Sequence, residues 1–84
     1  MVTVLIESNQ FNDLKVGNPL LVRTTLSMLK YVPLKKGDPL QIVCDSLKLN
    51  ATIISDPVVM VSEPEEGYKE VSLEIIKSEY ARYE

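Results

Sequence analysis

Apolar and polar residues alternate along most of this chain with a period of two, the signature of strands with one buried face. Val2, Val4 and Ile6 alternate with Thr3, Leu5 and Glu7, and β-branched side chains favour an extended backbone. "PLLVRTT" places Leu20 and Val22 on one face and Leu21 and Arg23 on the other. Leu40, Ile42 and Cys44 share a face, and so do Leu47, Leu49, Ala51 and Ile53, with Asp45-Ser46 between them as a tight bend. That is a hairpin, although neither bend residue is the glycine that a two-residue loop prefers. "PVVMV" reads as a short strand that is apolar on both faces. In "KEVSLEII", Val71, Leu73 and Ile75 alternate again, so a last strand runs to about Ile76 and a short helical or frayed tail follows.

Between the strands the punctuation is clear. "SNQFNDLKVGNP" has the residues of a loop, with room for one helical turn around Phe11 and Leu14. "LSMLKYV" has Leu26, Leu29 and Val32 at helical spacing before Pro33, and we read a single helical turn or an irregular crossover there. In "LKKGDP", Gly37 can take positive φ, Asp38 can bond nearby backbone, and Pro39 opens the next strand. "SEPEEGY" is an acidic, solvated loop. The expected fold is mostly β (or α+β): one domain over 1–84, a small barrel-like antiparallel sheet of five to six strands with one short helical segment.

Length sharpens the consequence of the two-faced strands. A chain of 84 residues buries a small fraction of its surface. Closing its sheet into a barrel covers the inner face alone, so the outer residues of "PLLV" and "PVVMV" call for a cover. We expect that cover to be a second copy, with a dimer favoured, over a cover made by the 8–18 loop and the tail. Leu20, Val22, Val58, Met60, Tyr80 and Tyr83 are the candidate interface residues. For the tail tyrosines, packing across the sheet edge is an equal reading.

Net charge is −3 and uneven: residues 1–56 hold six Lys/Arg against five Asp/Glu, residues 57–84 three against seven. That total gives no overall basic field for nucleic acid. Arg23, Lys30, Lys35 and Lys36 form a candidate nucleic-acid patch in the first half. One cysteine cannot pair within the chain, which favours a reducing, cytoplasmic setting. No apolar run reaches membrane-spanning length, so no membrane is expected.

Candidate chemistry is sparse. The chain has no histidine, which removes the commonest general base and metal ligand. One cysteine cannot build a zinc site, and three isolated glycines form no phosphate loop. Cys44 reads as a small core residue rather than a nucleophile. Asp38 and Asp45 read as turn residues rather than an acid–base pair. We expect no enzyme, no catalytic residue, no metal and no cofactor. The expected function is a protein-interaction module (an inhibitor, adaptor or assembly subunit), with a nucleic-acid-binding module as the alternative.

Two resemblances bear on that alternative. "FNDLKVGNPLLVR…LKKGDPLQIVC…LNATII" resembles the PUA-like superfamily, ASCH domains especially, with Gly17, Arg23, Gly37 and Asp38 in matching places. The resemblance implies a small β-barrel and RNA binding. The lysine usual after the first glycine is replaced by Asn18, and Leu21 or Val22 stands where an acidic residue or threonine precedes the arginine, so the family's catalytic roles do not carry over. "VRTTLSMLKYVPLKKGDPLQIVC" is similar to an AbrB-type hairpin, which would imply a DNA-binding homodimer. Thr24-Thr25-Leu26 departs from that motif's entry to its helical turn. Both resemblances share the Gly-Asp turn.

Overall fold

A computed structural model describes residues 2–27 and 34–81. Six strands form one strongly curved, nearly closed sheet: β1 (Thr3–Leu5), β2 (Leu20–Ser27), β3 (Pro39–Cys44), β4 (Leu47–Ile53), β5 (Val58–Glu63) and β6 (Tyr68–Lys77). A helix, α1 (Ser8–Lys15), follows β1, and one 3-10 turn, Ser78–Tyr80, follows β6. The small, mostly β, barrel-like expectation is met. The sheet is antiparallel except at β1, which runs parallel to β3.

The order across the sheet is β1-β3-β4-β6-β2. β6 organises it. One edge pairs with β2 along its length, from Leu20 opposite Ile75 to Ser27 opposite Tyr68. The other edge is shared end to end by β4, with Ile53 opposite Ile75, and β5, with Val58 opposite Ser72. Between β4 and β5 the ladder is patched. Ile54 N–H donates to Glu74 O at 2.9 Å, and Glu74 N–H donates to Ser55 Oγ at 2.9 Å. A side-chain hydroxyl thus satisfies a backbone donor where the strand turns away.

Inward positions make one core: Val4, Val22, Leu26, Leu40, Ile42, Cys44, Ala51, Ile53, Val71, Leu73 and Ile75 from the strands, Phe11 and Leu14 from α1. The helix is longer than the one turn its sequence suggests. It packs on β2, β3 and β6. Gln10 Oε1 accepts from Glu7 N–H at 3.0 Å at its start. At its end, Gly17 N–H bonds Leu14 O and Asn18 N–H bonds Asp13 O, the Schellman pattern. Gly17 has φ +100° there, and the Tyr80 ring lies against the face where a Cβ would stand.

The β3–β4 bend turns on Asp45, whose φ is +52°. Aspartate tolerates that region better than most residues but less well than glycine. Asp45→Gly is therefore expected to stabilise the fold by about 0.5–1 kcal/mol. Urea unfolding checks this, and an unchanged or lower midpoint contradicts it. Further along β4, Leu47 lies beyond the core and is exposed, while Leu49 is half-buried. The shared face predicted for Leu47, Leu49, Ala51 and Ile53 is fully buried only where β6 flanks β4. Thr52, on the opposite face, is buried too, its Oγ1 2.9 Å from Ser78 Oγ.

Candidate interaction surfaces

β5 is the least covered strand. It pairs with β6 on one edge, and no strand among the described residues takes the other. Val59 stands opposite buried Val71, so it points to the core side of the sheet, yet it is 53% exposed. Val58 and Met60 are also more than half exposed. A register irregularity between Val59 and Val61 leaves Met60 without a partner on β6, as a β-bulge does. Bulges blunt edge strands, but exposed apolar side chains on an open edge still invite pairing.

An acidic turn caps this end. Glu66 and Gly67 N–H groups return to Glu63 O at 3.1 and 2.9 Å, and Gly67 takes φ +79°. Glu63, Glu65 and Glu66 are exposed. Among the described residues none of the three forms an ion pair.

The opposite end of β6 is basic. A cleft of about 240 Å³ lies there between α1 and β4, lined by Phe11, Leu47, Leu49, Lys15, Lys48 and Lys77. Its floor is apolar and its rim carries three amines. Lys77 Nζ lies 2.5 Å from Glu79 Oε1. That hydrogen bond, ahead of opposing desolvation, holds the amine above its ordinary pKa, so Lys77 stays cationic at neutral pH. Lys15 and Lys48 have no ion pair among the described residues. Exposed Val16 and Leu47 add apolar surface at this end.

The four predicted basic residues are not gathered in this way. Arg23 lies on the outer face of β2, with Nη2 3.6 Å from Glu70 Oε2. Of the clefts described, the two that Arg23 lines contain no lysine. Lys35 and Lys36 belong to the Gly-Asp turn, which serves the sheet. Lys35 N–H donates to Asp38 Oδ2 at 3.0 Å. Gly37 N–H donates to Ile53 O and Ile53 N–H to Asp38 O, at 2.8 and 2.9 Å. Of the helical turn or crossover expected over 26–32, Leu26 and Ser27 instead continue β2, held opposite Lys69 and Tyr68 with Leu26 in the core; the rest of it, Lys30 included, lies outside the described residues, as does Tyr83.

The candidate interface residues divide. Val58 and Met60 are exposed, and Leu20 is half-buried. Val22 is a correction: it is 4% exposed and belongs to the core, while its neighbour Leu21 points out at 63%. Alternation groups the two faces of β2 correctly but does not say which one points inward. Tyr80 is partly exposed, with its ring on Gly17. Val16, Leu47 and Val59 escaped the sequence reading, because each would serve equally well as core.

Cys44 is buried, and Asp38 and Asp45 each occupy a turn. Among the described residues, no three His, Cys, Asp or Glu side chains gather as a metal site, and no helix is long and apolar enough to cross a membrane. No protein-family model, curated protein or solved structure matches the chain.

Proposed function

We propose that this chain is a non-catalytic protein-interaction module that assembles with further copies of itself through β5. Val59 carries the reading. It occupies a core-side position on a sheet whose other core-side residues on β6, namely Val71, Leu73 and Ile75, are buried, and nothing in the described chain covers it. Together with Val58 and Met60 it makes a contiguous apolar edge, and such edges are where chains add to one another.

The test is mass in solution across a concentration series. The wild type should rise above its 9.5 kDa monomer mass. Val59→Lys, which adds charge at a half-exposed position on the open edge and is checked for wild-type circular dichroism, should weaken association at least about tenfold. Losing the burial of one valine, about 1.5 kcal/mol, already accounts for that factor. Added oligonucleotide should leave the mass unchanged. A wild type that stays monomeric at millimolar concentration, or a complex with the oligonucleotide that dissolves steeply with salt, overturns the reading.

A further inference from the structure

A stable interface covers about 800 Å² on each partner, roughly one-seventh of this chain's 5766 Å². β5 alone is too small, so a second surface must meet it. We propose that copies join head to tail, with the acidic 63–67 turn and the adjoining β5 edge of one protomer seated on the lysine-rimmed cleft of the next. This rests on the self-assembly reading and names its contact.

Three observations lead here. First, the surfaces lie at opposite ends of one strand. Tyr68 abuts the acidic turn and Lys77 lines the basic cleft. Nine residues of β-strand separate them by about 30 Å, within the molecule's 39 Å longest extent. One chain cannot bring its own turn to its own cleft.

Second, the chemistry is complementary. Glu63, Glu65 and Glu66 face outward at one end, and Lys15, Lys48 and Lys77 rim the other. Lys69 lies beside the acidic turn and Glu79 beside the cleft, so each end is tempered without losing its sign. The apolar parts also match: Val58, Val59 and Met60 behind the turn, Val16 and Leu47 beside the cleft.

Third, the symmetric alternative is poor. Pairing β5 antiparallel with β5 of a second copy in full register sets each Glu63 opposite the partner's Val58, with the partner's Asp56 just beyond the end of the ladder. Each end then gathers the acidic turn of one copy near Asp56 of the other with no lysine-rimmed cleft to meet it, and juxtaposed like charges are unfavourable.

A head-to-tail contact is heterologous, so it grows into a ring or an open chain instead of stopping at two. Two variants with surface changes test this, each checked for wild-type circular dichroism. Lys15→Glu/Lys48→Glu removes the cleft and keeps the turn. Glu65→Gln/Glu66→Gln disarms the turn and keeps the cleft. Each alone should lose association by at least about tenfold. An equal mixture should form a one-to-one dimer and nothing larger, because one intact turn meets one intact cleft. Wild-type mass should exceed a dimer and fall as salt rises, since exposed pairs are screened. If the wild type associates but both charge variants do so equally well, or if salt strengthens it, head-to-tail joining is wrong while self-assembly stands. A wild type that is monomeric throughout removes both.

Discussion

Leu73→Ala should lower the melting temperature of this protein by more than about 10 °C. Leu73 is 1% exposed, opposite Val22 in the strand that holds the sheet together. Truncating a fully buried leucine removes its burial and leaves a cavity, at a cost of about 2–5 kcal/mol. A domain of this length has a total stability of about 4–12 kcal/mol, so one substitution takes a large share of it. Leu21→Ala is the matched control. It lies on the neighbouring strand with the same chemistry but points outward, and its shift should stay within about 0.5 kcal/mol. Equal shifts for the two would mean that the inner and outer faces of the sheet are wrongly assigned.

Gly17→Ala should cost about 2 kcal/mol, from two separable causes. A left-handed backbone at φ +100° strains any residue with a Cβ. That Cβ would also stand 3.1 Å from Tyr80 Cε2. The second cause can be removed. In a Tyr80→Ala background the same change should cost only about 1 kcal/mol, the backbone share. A double-mutant cycle by urea unfolding reads the difference. An identical cost in both backgrounds would show that the ring gives way freely. No effect in either would show that the helix ends in some other way.

The Gly17 site also marks where the sequence stopped being informative. Gln10, Phe11, Leu14 and Gly17 are all signals of a short capped helix, but Asn9, Asn12 and Asp13 are poor helix formers and pull the reading toward loop. Burial of Phe11 and Leu14 decides it, and burial depends on the whole sheet. Strands were easier. Alternation at 20–25, 40–44 and 71–75 needs no tertiary knowledge, and the structure follows it; at Leu26 helical spacing competes with alternation, and pairing with β6 decides for strand. The direction of each face does need such knowledge: alternation separates Val22 from Leu21 without saying that Val22 is the one turned inward. The parallel pairing of β1 with β3 joins residues far apart in sequence, and nothing local encodes it. At the surfaces, the two-sided apolar character of "PVVMV" was plain in the sequence. The grouping of Lys15, Lys48 and Lys77 was not, because it joins a helix and two strands across 62 positions of chain.

The arrangement of β6 bears on how the molecule comes into being. Among the described residues β2 and β5 pair with β6 alone, a strand that follows both in sequence, and β4 takes its second edge from it after pairing with β3. While the polypeptide is being synthesised the β3–β4 hairpin can close by itself, but β2 and β5 must wait, their ladder groups unmatched, until 68–77 clears the ribosome. Such non-local pairing makes folding slow, and the nascent β5 segment, apolar on both sides, is the stretch most in need of shelter during that interval.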